Sequence, residues 1–137
     1  MGENEMSQWI WIGAGGFVIY RLVMGILYTK KIHRLRPEEA KTRLDNEKIF
    51  LLDVRTPGEY NKKHLPKANL ISLPELRRRR NELPEKDTPI FVYCQSGSRA
   101  MRACVQLVKL GHKDVYHIGG IEQWPYKTIK SKSKKHA

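Results

Sequence analysis

The sequence is poor in cysteine and has a single candidate reactive thiol. Among 137 residues there are only 2 cysteines, Cys94 and Cys104, with no C-x-x-C motif and no Cys/His cluster. This pattern excludes a zinc finger and a disulfide framework, and it fits a reduced, cytoplasmic setting. We therefore expect no metal and no cofactor. The length allows one folded domain and a short appendage.

Acidic residues are also scarce. The chain has 14 Asp and Glu against 26 Lys and Arg, a formal net charge of +12. Much of the excess lies in the run Arg77–Arg80 and in the last residues, Lys127–Ala137. Such runs are usually solvated, and we predict that residues 127–137 form a basic disordered tail that an anionic membrane surface can attract. No aromatic residues interleave the tail, which argues against nucleic acid as a partner.

One long apolar run is present, Trp9–Tyr28, and it contains a single charge, Arg21. As a helix it would be about 30 Å long, enough to cross the hydrocarbon core of a bilayer. Tryptophans at its start and a tyrosine at its end fit an aromatic belt. We predict a transmembrane anchor at residues 9–28, preceded by a short acidic N-terminus at residues 1–8. A buried or interfacial helix over Trp9–Tyr20 is the alternative.

The charges that flank this run predict its orientation. Acidic residues precede it, where a signal peptide would have basic ones, so we expect a retained anchor. Four basic residues follow it closely: Lys30, Lys31, Arg34 and Arg36. Because basic flanks stay in the cytoplasm, we predict a single-pass membrane protein whose catalytic domain, residues 29–126, is cytoplasmic.

A second apolar run, Ile90–Tyr93, leads into Cys94 and a loop of small residues. The loop residues are Gln95, Ser96, Gly97, Ser98 and Arg99, and a helix is predicted to follow them. Backbone N–H groups of such a loop can surround the sulfur, and the helix adds the positive end of its dipole. Both favour the charged thiolate. Cys94 is therefore the candidate nucleophile.

Strand and helix patterns alternate through the rest of the chain. Predicted strands are Ile49–Val54, Leu70–Ile71, Ile90–Tyr93 and Val115–Ile118, and predicted helices are Pro37–Leu44, Gly58–Lys63, Pro74–Asn81 and Ser98–Leu110. This alternation predicts an α/β fold with a parallel sheet and flanking helices. Cys94 then stands at the carboxyl end of a strand, where ligands of such sheets bind. Cys104 falls on the core face of its helix, as a small buried hydrophobe.

Several short motifs together resemble a rhodanese domain over Ile32–Trp124. They are Asp53-Val54-Arg55 with Glu59-Tyr60, His64-Leu65-Pro66, Cys94-x-x-Gly97-x-Arg99, and Gly119-Gly120-Ile121 with Trp124. Two lysines, Lys63 and Lys67, stand where the family usually has glycine, and Ala100 replaces a frequent serine. These departures bear on substrate preference more than on the fold. The resemblance implies a rhodanese-like parallel sheet.

The resemblance also implies a two-step sulfur relay. Cys94 would take the outer sulfur of a small donor, thiosulfate or a persulfide, and pass it to a thiol or to cyanide. Arg99 would hold the loop or receive an anionic donor, and the first role is favoured. Asp53 and Arg55 would be supporting residues that order neighbouring loops.

Two other functions stay open at the level of sequence. Cysteine phosphatases and arsenate reductases share this loop design, but they typically place five residues between the cysteine and the arginine, and here there are four. A membrane-tethered binding module without catalysis is the other alternative, although inactive versions commonly lack the cysteine. The histidines His64, His112 and His117 are assigned structural roles, because nothing in the sequence pairs them with Cys94.

Overall fold

The computed structural model describes residues 2–131, which fall into two compact units divided after Lys30. The first unit is one helix, α1 (Glu3–Lys30), 28 residues long with no buried residue. By length and composition it could cross a membrane. It includes the predicted anchor at residues 9–28 and extends beyond it at both ends. Part of the predicted N-terminal segment, residues 1–8, is therefore helical.

The second unit is a five-stranded parallel sheet with helices on both faces. Its elements are β1 (Ile32–Arg34), α2 (Pro37–Asn46), β2 (Phe50–Asp53), α3 (Pro57–Lys62), β3 (Asn69–Leu70), β4 (Ile90–Cys94), α4 (Ser98–Lys109) and β5 (Val115–Gly120). The strand order is β1-β5-β4-β2-β3, and every pairing is parallel. The predicted α/β class and the parallel sheet are confirmed.

The inner strands are mostly apolar, as expected for strands covered on both faces, with Asp53 of β2 and His117 of β5 as buried polar exceptions. Every residue of β4 is buried. Because side chains alternate along a strand, Phe91 and Tyr93 point to one face and pack with Ala40 of α2. Helix α4 contacts β4 and β5 through a buried stripe, Ala100, Ala103, Cys104, Leu107 and Val108. Cys104 lies on this core face, as predicted.

Helix starts follow the local sequence. Both α2 and α3 begin with a proline, which has the right φ and no N–H to leave unpaired. In α3 the Thr56 side chain accepts the Glu59 N–H, and the Glu59 carboxylate accepts the Thr56 N–H. This capping box fixes the position of the Glu59 side chain at the start of the helix.

Two sequence predictions of secondary structure were wrong. The predicted helix Pro74–Asn81 is instead a pair of 3₁₀ helices, Leu73–Glu75 and Arg80–Glu82, joined by a turn. Leucines 73 and 76 are the buried residues here, and a three-residue spacing suits the tighter 3₁₀ turn. Strand β1 was missed because only Ile32 of its three residues is buried, which gives no alternation to detect.

The basic tail also differs from its prediction. Ile129 pairs with His64 in an isolated antiparallel bridge, through two backbone hydrogen bonds of 2.8 and 2.9 Å. The Ser131 N–H donates to the Asn61 carbonyl. The prediction of disorder is therefore wrong for residues 127–131. Residues 132–137 lie outside the described part of the chain.

Candidate active site

The candidate site lies where three parallel strands end at the same edge of the sheet. Asp53 ends β2, Cys94 ends β4 and Gly120 ends β5. Asp53 is paired in register with Tyr93, and Cys94 with Gly120. The register shifts between Val92 and Cys94, at the point where the chain leaves the sheet. The sheet thus brings the predicted nucleophile and its predicted supporting residues together.

The Cys94 sulfur is buried beneath its loop and accepts a backbone hydrogen bond. The Gly97 N–H donates to Cys94 Sγ over 2.9 Å. Gly97 adopts φ +117°, a conformation that L side chains rarely take, and it is the N-cap of α4. Glycine here thus lets the loop turn back so that a peptide N–H faces the sulfur. The neighbouring Ser96 and Ser98 are exposed.

His117 supports Gly97 from the adjacent strand. Its Nδ1 accepts the Gly119 N–H at 3.0 Å, so its Nε2 carries the proton and donates to the Gly97 carbonyl at 2.9 Å. Burial lowers the pKa of this imidazole, which favours the neutral tautomer. His117 is 20 residues from Gly97, so the sequence offered no sign of this contact. Both contacts are with backbone groups, which supports the structural role predicted for His117.

Arg99 is held by Glu59 of α3. Its two terminal nitrogens donate to the two carboxylate oxygens at 2.7 and 2.8 Å. This two-point ion pair raises the pKa of Arg99 and lowers that of Glu59 to about 2. The contact ties the start of α4 to the start of α3. Of the two roles considered for Arg99, the geometry favours holding the loop.

A buried polar cluster lies below the loop. Asp53 and Arg55 are an ion pair, 2.7 Å between Nη2 and Oδ2, and both are essentially inaccessible to solvent. The Tyr93 hydroxyl donates to Asp53 at 2.6 Å and accepts the Leu65 N–H at 3.1 Å. Burial and the adjacent Asp53 carboxylate raise the pKa of Tyr93, so it stays protonated.

Arg55 also hydrogen-bonds to the two neighbouring loops. Its guanidinium donates to the Lys63 carbonyl at 2.7 Å and to the Gln95 side-chain oxygen at 3.1 Å. The Gln95 amide donates in turn to Glu122 at 3.3 Å. Gly120 packs so closely on the Gln95 carbonyl that a Cβ would collide with it. Asp53 and Arg55 thus contact the loops they were expected to order.

Sequence reasoning gave no site role to two residues that contact this network: Glu59, which it named only within a motif, and Tyr93. The spacing Thr56-x-x-Glu59 is a capping-box pattern, which could have placed the Glu59 carboxylate at the start of a helix. Tyr93 stands in an apolar strand, where a tyrosine looks like any other core residue.

The second cysteine, Cys104, is unsuited to act as a nucleophile, because burial raises its pKa to about 12 and keeps it a thiol. Within residues 2–131, no group of three or more His, Cys, Asp or Glu side chains could hold a metal.

Comparison with known proteins agrees with this geometry. Residues 36–127, more than half of the chain, match the rhodanese-like domain family. The chain belongs to the rhodanese family. It is 36% identical over 117 residues to the uncharacterized protein YqhL of Bacillus subtilis, covering 85% of this chain and 90% of that protein.

Two further relatives extend the comparison of this rhodanese. A protein of Coxiella burnetii named thiosulfate sulfurtransferase GlpE is 33% identical over 96 residues, 69% of this chain and 86% of its own. The crystal structure of a rhodanese-like domain protein from Staphylococcus aureus superposes with a TM-score of 0.66 at 25% identity, covering 74% of this chain and 99% of that one. The rhodanese fold and a sulfurtransferase family are therefore shown.

Proposed function

We propose that this rhodanese is a membrane-tethered sulfurtransferase that carries sulfur as a persulfide on Cys94. The observation that carries the proposal is the 2.9 Å hydrogen bond from the Gly97 N–H to Cys94 Sγ. A peptide dipole aimed at the sulfur stabilises a thiolate and a persulfide anion alike. The thiolate is the attacking species, and its attack on sulfur needs no general base. The name of the Coxiella relative supports thiosulfate as a donor.

In the first step the Cys94 thiolate attacks the outer sulfur of thiosulfate. A new sulfur–sulfur bond forms to Cys94 as the bond to the sulfonate sulfur breaks, and sulfite leaves with its electron pair. In the second step cyanide or an acceptor thiolate attacks the outer sulfur of the persulfide. Thiocyanate or a new persulfide leaves, and the Cys94 thiolate is restored. Charge balances in each step.

The positions of Arg99 and Glu59 favour sulfur transfer over phosphoester hydrolysis. A phosphatase loop uses its arginine to hold a tetrahedral oxyanion, but Arg99 here is engaged at both terminal nitrogens by Glu59. The loop is also one residue shorter than is typical of those enzymes. A loop of this size suits one added sulfur atom.

The sulfur-loading test is mass spectrometry of the intact protein after incubation with thiosulfate or a small persulfide. One sulfur atom should be added, and dithiothreitol or cyanide should remove it. Cys94→Ser should abolish both the adduct and turnover. Cys104→Ser is the matched control, since it removes the other buried cysteine and should keep both. A wild-type protein that hydrolyses a phosphoester through Cys94 but takes up no sulfur would move the assignment to the phosphatases.

A protein that neither takes up sulfur nor hydrolyses a phosphoester would be a tethered binding module.

The membrane tether is also part of the proposal. Helix α1 is apolar enough to span a bilayer, and the basic residues that begin at Lys30 follow it directly. By the positive-inside rule the rhodanese domain is cytoplasmic. Basic residues of the tail would add contact with anionic lipid.

A further inference from the structure

A cavity in the rhodanese unit lies away from the Cys94 loop. It has a volume of about 360 Å³ and is lined by Lys31, His33, Val108, Gly111, His112 and Lys113. Lys31 directly precedes β1, and Lys113 stands just before β5. The two strands are parallel neighbours, so both lysines approach the amino edge of the sheet. Cys94 is at the opposite, carboxyl edge.

His112 contributes a buried imidazole to the lining of this cavity. The residue is 4% exposed, and neither ring nitrogen has a hydrogen-bond partner within the described chain. Burial, together with the charge of Lys86, lowers the pKa of the imidazole, so it is neutral at physiological pH. A neutral imidazole still has one N–H donor and one acceptor to satisfy. Buried polar groups are almost always hydrogen-bonded, so this imidazole is available to hydrogen-bond whatever occupies the cavity.

The charges around the cavity favour an anion as its ligand. Lys31 and Lys113 contribute two ammonium groups, and the lining contains no carboxylate. Lys113 pairs with Asp87 at 3.5 Å, and that pair is mostly exposed and therefore weak. A tetrahedral oxyanion offers several acceptors for two ammonium groups and one imidazole N–H.

We propose that this cavity binds a phosphate group through Lys31, Lys113 and the imidazole N–H of His112. Free phosphate and a phospholipid headgroup have this chemistry in common. The headgroup has a specific argument in its favour, because Lys31 is one peptide bond beyond the last residue of α1. That argument rests on the proposed membrane anchor, whereas phosphate binding itself does not.

The test follows the His112 ring signal by NMR in the full chain, labelled with ¹³C at histidine Cε1. In uncharged detergent micelles, inorganic phosphate should shift the signal saturably, and chloride at equal ionic strength should not. Lys31→Gln and Lys113→Gln should each weaken binding about two- to fivefold, the range for one exposed charge pair. Lys62→Gln, an equal loss of charge at the end of α3, should leave it unchanged.

A second arm identifies the source of the phosphate group. The same protein is placed in phosphatidylcholine nanodiscs with or without phosphatidylglycerol, and no phosphate is added. A shift in either kind of nanodisc supports a lipid headgroup, and it should be larger with anionic phosphatidylglycerol. If neither nanodisc shifts the signal but phosphate in micelles does, free phosphate is the ligand. The proposal is overturned if neither arm moves the His112 signal, or if Lys62→Gln weakens binding as much as the two cavity variants do.

Discussion

Lys67 occupies a backbone conformation that suits glycine. Its φ is +65°, the only positive value of a non-glycine residue in the described chain. A side chain in this left-handed region costs about 1 to 2 kcal/mol. Lys63, the other lysine where rhodanese sequences usually have glycine, has φ −167° and is simply extended. Substitution by glycine should therefore change the stability of the fold differently at the two positions.

We expect Lys67→Gly to stabilise the fold by about 0.5 to 1 kcal/mol, since the relieved strain exceeds the added entropy of the unfolded chain. Lys63→Gly should instead destabilise it by about 0.5 to 1 kcal/mol, because it gains flexibility and relieves nothing. Urea unfolding of the full chain measures both. Equal losses of stability in the two variants would show that Lys67 is not strained.

At the scale of elements, the Arg99–Glu59 pair joins α4 to α3 across the site. Glu59→Gln separates the two roles considered for Arg99. If Arg99 holds the loop, the variant should lower kcat about fivefold, roughly 1 kcal/mol, and change the KM for thiosulfate little. If Arg99 receives the donor, freeing it from Glu59 should lower that KM. Steady-state kinetics distinguishes the two roles. Glu82→Gln is the control, since it breaks an exposed pair with Arg79 away from the site.

The same pair predicts a dependence of stability on pH. Arg99 lowers the pKa of Glu59 to about 2 in the folded state, against about 4.3 for an unpaired glutamate. A lowered pKa stabilises the folded protein at pH values above the unfolded pKa, and this contribution is lost as the pH falls from about 4.3 toward 2. We expect the stability difference between wild type and Glu59→Gln to be full at pH 6 and to shrink at pH 3. Urea unfolding at both pH values measures it, and a difference that stays constant would contradict the pairing.

The sequence predicted those elements that are determined by neighbouring residues in the chain. The strand and turn that deliver Cys94 were predictable, because an apolar run followed by a glycine-containing loop is a local pattern. The contacts of Arg55 with Gln95 and of His117 with Gly97 join residues 40 and 20 positions apart, which no local pattern reveals. Segment 74–81 was predicted as a helix since its composition permits one. The structure has two 3₁₀ turns here, and the buried Leu73 and Leu76 are three residues apart, a spacing compatible with that form.

At the scale of the whole molecule, positive charge concentrates on one side of a single apolar helix. The residues before Trp9 include two acids, and basic residues accumulate from Lys30 onward. A helix of 28 residues is about 42 Å long, which exceeds the hydrocarbon thickness of about 30 Å, so in the proposed span both ends would lie in the interfaces. Arg21 lies off centre in the apolar run, so its side chain can reach toward the nearer interface. These features support the proposed membrane anchor and the proposed cytoplasmic side for the larger unit.

The last prediction tests this arrangement. Full-length protein should stay in the membrane fraction through a carbonate wash, because a spanning helix is held by its apolar length and not by surface charge. A chain that begins at Lys31 should be soluble and keep its sulfur transfer, since the sheet and the Cys94 loop lie after that residue. Protease added to sealed cells should leave the rhodanese domain intact and digest it in inverted vesicles. Release by carbonate would favour an interfacial helix, and digestion in sealed cells would reverse the orientation.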